Sequence, residues 1–334
     1  MKQNKFPWKR VFRWLAKGLL SLAAAGAVAL YFLMSAPAWS SEVERIVIQS
    51  GTSEYEVIAR LRSEGFIRST RAFDFILALG RWHNKIQPGG YRISKSMNAW
   101  KSARILAHDP YMQWISVPEG LRKEEIAEIF KKKLAWDEVE AQAFLNPPRD
   151  VVDFPASEGY YFPDTYLISV DEGGARVAAR MFAQFNEKFA PYYNDFIHND
   201  IKHTTGVSIA SLLEREAAGP EDMPIISGIL WNRLLQGMRL DIDATLQYAR
   251  GKTQRGWWSP IKSSDKNIDS PYNTYRNAGL PPTPISNPGL TAILAALHPA
   301  ETQCLFYLHG SDRKIHCAKT YADHLKNIEK YLRS

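Results

Sequence analysis

Ser208-Ile209-Ala210-Ser211-Leu212-Leu213-Glu214-Arg215-Glu216-Ala217-Ala218 places Ile209, Leu212 and Leu213 on one side of a helical repeat, which predicts an amphipathic helix. Position 216 falls on that apolar side. Glu214 is turned roughly 100° or more away by helical rotation and is expected to be solvated or paired with a cation. Glu216 is therefore the carboxylate out of place. Apolar surroundings disfavour its ionised form, so it can keep a proton near neutral pH and deliver it to a leaving group. The same position suits a structural Glu paired with a buried Arg, and the helix by itself leaves both readings open.

Downstream, Arg239 to Tyr248 reads as two acids, Asp241 and Asp243, and a short helix capped by Asp243. Gly256-Trp257-Trp258, Ser270-Pro271-Tyr272-Asn273-Thr274-Tyr275 and the proline-rich loop Gly279 to Gly289 follow. Aromatic rings stack on sugar faces, amides and hydroxyls bond sugar hydroxyls, and a proline-fixed loop loses little entropy on binding. The candidate substrate-binding residues of such a groove are Asp243, Thr245, Tyr248, Tyr272, Asn273, Tyr275 and Asn287. Trp257 and Trp258 fit structural packing or a membrane surface better, because adjacent residues rarely share one site.

Upstream of the decisive helix, strands and helices occur in separate short runs, which predicts an α+β chain. Glu44 to Ile48 is a strand; Ser53, with Glu56 three residues on, caps a helix from Tyr55 to Glu64. Helices at Thr70 to Leu79 and Ala99 to Ala107 flank a turn and strand at Gln87 to Ile93. Residues 43–111 thus form a small α+β module whose element order resembles a LysM-like module; a plain spacer has the same signature. A larger α+β domain covers 112–334, with 112–155 a possible subdomain. It holds a strand at Trp114 to Val117, helices at Lys123 to Lys132, Trp136 to Phe144 and Ala175 to Phe189, and a loop at Glu158 to Ile168.

The N-terminus is of a different kind. Lys2, Lys5, Lys9, Arg10, Arg13 and Lys17 precede an uncharged, Leu- and Ala-rich run at 18–41, and Glu42 and Glu44 follow it. That run predicts a single transmembrane anchor, with residues 1–17 a basic cytoplasmic tail and the body outside. The expected location is the inner (cytoplasmic) membrane, with the larger domain in the periplasm or extracytoplasmic space. A cleaved signal peptide is the alternative, since Ala36-Pro37-Ala38 matches a cleavage box.

Of the 42 basic residues six lie in that tail, leaving 36 against 35 acidic ones. The body shows no basic stripe, so nucleic acid is not expected as a partner. The eight histidines have no metal-ligand spacing and no nucleotide-binding glycine pattern occurs, so neither a metal nor a cofactor is expected. Cys304 and Cys317 lie in a hairpin, with strands at Gln303 to Leu308 and Lys314 to Ala318 and a turn at His309 to Arg313. A disulfide and two buried thiols are both compatible with it.

Leu212 to Ala217, Glu158-Gly159-Tyr160-Tyr161-Phe162-Pro163-Asp164-Thr165-Tyr166, Ser270 to Tyr275, Gly279 to Gly289, and Lys319-Thr320-Tyr321 with His324 together resemble the endolytic murein transglycosylase (MltG, YceG-like) family. The likeness runs in order over nearly the whole chain. Thr283, Ala244 and Cys317 depart from the residues usual in that family. What the resemblance implies is a lytic transglycosylase that cuts within peptidoglycan glycan strands and leaves a 1,6-anhydro-N-acetylmuramic acid end, its catalytic glutamate falling on Glu216. It also implies coupling to wall synthesis, with synthases or division proteins as partners. Two alternatives stand beside it: a hydrolase using Glu216 as acid and Asp243 as base, and a non-catalytic wall-binding scaffold.

Overall fold

The computed structural model describes residues 8–149 and 158–332. Lys2 and Lys5 of the basic tail and residues 150–155 of the possible subdomain lie outside the described residues. The chain divides into one unit of Met1–Trp114 with Leu167–Asp171, and a second of Ile115–Tyr166 with Glu172–Ser334. Both mix helices with strands, as an α+β chain should.

The first unit begins with α1 (Trp8–Met34), of which Phe12–Met34 is long and apolar enough to cross a membrane. The sequence places the span at 18–41; the helix instead starts earlier, where Lys and Arg are good helix formers, and stops before Pro37, which cannot sit inside it. β1 (Val43–Ile48) pairs antiparallel with β2 (Gly89–Ser94), Ile46 opposite Tyr91. Between them lie α2 (Glu54–Ser63) and α3 (Thr70–Gly80). The capping box at Ser53 and Glu56 forms, Glu56 Oε2 accepting from the Ser53 N–H at 2.8 Å. α4 (Ala99–His108) follows, then β3 (Met112–Ser116).

β3 lies so close to β2 that a Cβ on Gly90 would stand 2.8 Å from that of Met112, which explains the glycine. β4 (Thr165–Ser169) completes the sheet order β1-β2-β3-β4. The reading of Glu158 to Ile168 as a loop misses this strand, whose alternation of Tyr166 and Ile168 inward is only two residues deep. Ile46, Ile48, Ile58, Leu61, Phe73, Leu77, Tyr91 and Leu106 form the unit's core.

The second unit comprises α5 (Lys123–Leu134), α6 (Glu138–Leu145), α7 (Gly174–Phe189), α8 (Tyr193–His198), α9 (His203–Glu216), α10 (Met223–Leu235), α11 (Asp243–Arg250), α12 (Leu290–Leu297), the hairpin β5 (Phe306–His309) and β6 (Ile315–Ala318), and α13 (Tyr321–Leu332). α9 packs against α12, α10 and α11, and all its residues from Gly206 to Leu213 are buried. It is therefore buried all round rather than on one face. Its serines are accommodated because Ser211 Oγ donates to the Ser208 carbonyl and accepts from the Ile285 N–H. Phe130, Phe144, Tyr160, Tyr161, Phe182 and Phe185 form an aromatic core between α5, α6 and α7.

Candidate active site

Glu216 is the last residue of α9 and is half-buried. Burial raises its proton affinity above that of an ordinary carboxyl, and the negative charge of Asp243 pushes the same way. The C-terminal end of a helix adds partial negative charge there. Against these act the Tyr307 hydroxyl, which donates to Glu216 Oε2 at 2.7 Å, the charge of His309, and the N–H of Ala244. Tyr307 is itself half-buried, and loss of solvent together with the charge of Glu216 beside it keeps its hydroxyl protonated. His309 Nε2 lies 3.0 Å from Asp222 Oδ2.

Three anchors hold this constellation. Buried Arg233 of α10 donates to the carbonyls of Leu305, just before β5, and Leu240, just before α11, each at 2.6 Å. Asn232 donates to the Thr302 and Cys304 carbonyls. The Cys304–Cys317 disulfide, with Cα atoms 5.8 Å apart, ties the base of the hairpin, and Tyr307 pairs with Cys317 across it. His309 is the last residue of β5 rather than part of the turn, paired with Ile315. Alternation along the strand then puts Tyr307 and His309 on one side.

Glu214 is not solvated. It accepts from the Gly289 N–H at 3.0 Å, at the start of α12, and burial lifts its pKa to about 7, with Glu119 adding to the rise. The guanidinium of Arg215 stacks over Trp258 at 4.0 Å instead of facing solvent. The helix face opposite Glu216 meets protein rather than water, which periodicity within one segment cannot reveal.

Of the predicted groove residues, Asp243 and Tyr275 come together near Glu216. Asp243 is the first residue of α11 rather than its cap, is exposed, and accepts from the Tyr275 hydroxyl at 2.6 Å. Tyr248 and Tyr272 form a ring pair with centroids 4.7 Å apart, the Arg122 guanidinium lying 4.1 Å from the Tyr248 ring. The other three are corrected by their burial. Thr245 donates to the Ile242 carbonyl and shares a hydrogen bond with Thr274. Asn273 binds the Lys266 and Ile268 carbonyls and accepts from the Tyr275 N–H. Asn287 accepts from the N–H groups of Gly159 and Tyr161 and donates to Leu121 and Glu158. All three are fully buried with their polar atoms committed to protein, so they shape the loops rather than face a ligand.

A family model described as YceG-like matches residues 46–330. The chain belongs to the YceG-like family. Among its relatives, a protein of Bacillus subtilis (strain 168) named endolytic murein transglycosylase is 30% identical over 318 residues, spanning 88% of this chain and 86% of the relative. One of the same name from Streptococcus pneumoniae serotype 2 (strain D39) is 27% identical over 340 residues, spanning 90% of this chain and 61% of the relative. The crystal structure of a yceG-like protein from Listeria monocytogenes superposes with a TM-score of 0.61 at 24% identity, covering 86% of this chain and all but 1% of that one. That likeness speaks for the fold.

In this YceG-like chain, sequence reasoning missed Tyr307, His309 and Asp222. Tyr307 lies 91 residues from Glu216, and an unremarkable Phe-Tyr-Leu-His strand carries no local signal of it. The one available clue was the paired cysteines, which mark that hairpin as a segment worth fixing. Among the described residues no group of three or more His, Cys, Asp or Glu is arranged to hold a metal ion.

Proposed function

We propose that this chain is a membrane-anchored endolytic peptidoglycan transglycosylase. The observation that carries the reading is Glu216, a half-buried carboxyl with raised proton affinity, held by the Tyr307 hydroxyl beside an exposed Asp243–Tyr275 pair. The names of the relatives point to the same chemistry.

In this mechanism protonated Glu216 gives its proton to the glycosidic oxygen that links C1 of N-acetylmuramic acid to N-acetylglucosamine. The C1–O bond breaks as the muramic 6-hydroxyl attacks C1, and the ionised Glu216 takes the proton that this hydroxyl loses. One bond breaks, one forms, no water is consumed, and Glu216 returns to its starting state. A single carboxyl suffices because the nucleophile belongs to the substrate. Ordinary glycosidases need a second carboxyl group at a fixed separation.

α1 anchors the chain in the inner membrane with the N-terminus in the cytoplasm, in the direction the positive-inside rule sets. Retention of the anchor is supported by the Ala36–Ala38 stretch. The Ala36 carbonyl and Ala38 N–H are both hydrogen-bonded within the first unit, so the cleavage box is part of the fold. Residues 43–111 form the LysM-like module and 112–334 the catalytic domain. Synthases and division proteins are the partners of an enzyme that terminates nascent strands.

The test is mass spectrometry of products after the full-length chain acts on uncrosslinked peptidoglycan. Anhydromuramic ends that vanish in Glu216→Gln but persist in Glu214→Gln support the reading. Reducing ends, lost in Asp243→Asn, would replace it with a hydrolase.

A further inference from the structure

The chain does not leave α1 through a free linker. Arg68, just before α3, donates from Nε and Nη2 to the Ala36 carbonyl at 3.1 and 2.7 Å, and its guanidinium lies 4.4 Å from the Phe32 ring. The Ala38 N–H donates to the Lys95 carbonyl at 3.0 Å, Ser94 Oγ donates to the Ser40 carbonyl at 2.9 Å, and Met34 packs on the core. The end of the anchor is thereby stitched to the folded unit along its whole exit.

At this junction lies a cavity of about 670 Å³, lined among others by Tyr31, Trp39, Arg68, Ser96, Asn98 and Trp100. Trp39 is fully exposed, Tyr31 is 78% exposed and Trp100 is 41% exposed. Large exposed rings beside a polar rim are costly in water and favourable in the headgroup layer of a bilayer, where Trp and Tyr concentrate. Arg68 spends two of its N–H groups on Ala36 and keeps donors that suit phosphate oxygens. A helix rises ~1.5 Å per residue, so Phe12–Met34 covers the ~30 Å of hydrocarbon and brings Met34 and this cavity to the water interface.

We propose that this cavity is a phospholipid site, in which an outer-leaflet lipid sets its phosphate on Arg68 and its glycerol and upper acyl chain against Tyr31, Trp39 and Trp100. The first unit is then seated in the headgroup layer. This rests on reading α1 as a membrane span.

Full-length protein in vesicles of phosphatidylethanolamine and phosphatidylglycerol, doped with a phospholipid carrying a photoreactive diazirine near the glycerol, tests it. The expected result is adducts on peptides containing Trp39 and on the Ser96–Trp100 segment, besides those within Phe12–Met34. Trp39→Ser and Arg68→Ala should each lose the adducts outside the helix and keep those within it. Trp39→Ser changes an exposed side chain and leaves folding intact. Adducts confined to Phe12–Met34 would overturn the lipid site while leaving the anchor in place. No adducts on Phe12–Met34 would remove the anchor reading, and the proposal with it.

Discussion

Glu216 and Glu158 are both carboxyl groups of the second unit whose burial raises their proton affinity, yet their surroundings differ in what they leave open. Glu158 is fully buried, with a pKa pushed up to about 8. It accepts from the Lys123 N–H at 2.8 Å and from the Asn287 amide at 2.6 Å, inside a knot of loop backbone. Glu216 is half-buried, takes one hydroxyl from Tyr307, and lies beside an exposed acid, Asp243. Holding a proton is common to both. Glu216 keeps part of its surface exposed where Glu158 keeps almost none, so desolvation marks candidates and access separates them.

The strongest test of that contrast exchanges the two roles. Glu216→Gln is expected to lower turnover by about 10²–10⁴-fold with no loss of stability, since general acid–base catalysis contributes that range. Glu158→Ala should keep a measurable rate in folded protein but lose about 3 kcal/mol in denaturant unfolding, because two buried donors lose their acceptor. Opening the disulfide with Cys304→Ser is expected to cost ~3 kcal/mol for a loop of this size, and to reduce activity through the hairpin that bears Tyr307.

Finer effects follow in pH. Tyr307→Phe removes a donor that favours ionised Glu216, so the alkaline limb of the rate profile should move to higher pH, with turnover down by about tenfold. Asp243→Asn should move that limb the other way, because the charge it removes raises the Glu216 pKa. For stability the relevant group is Glu158, whose folded pKa of about 8 exceeds the ordinary glutamate value of 4.5. The native state binds the extra proton, so this contribution is full below about pH 4.5 and is lost as pH rises through 8. Glu158→Gln should flatten that dependence in thermal melts.

Helix α9 and the raised proton affinity of its last carboxyl were legible because both lie within one segment of regular period. The same holds for the Ser53 capping box and the apolar span. Thr245, Asn273 and Asn287 misled because a polar residue in a loop looks the same whether it turns outward to a ligand or inward to backbone groups that need partners. Glu214 misled for a related reason: the turn at Gly289 that covers it comes 75 residues later. For Tyr307 the paired cysteines mark only its hairpin, since its meaning arises when that distant hairpin is laid against the end of α9.

That distance also sets an order of events. The chain emerges N-terminus first, and α9 is complete 91 residues before Tyr307 is synthesised. Its hairpin must then be closed by an oxidation that needs a compartment permitting disulfides. A nascent or still-reduced chain carries the Glu216 carboxyl without the closed hairpin that lays Tyr307 against it, so this contact is the last part of the cluster to be completed.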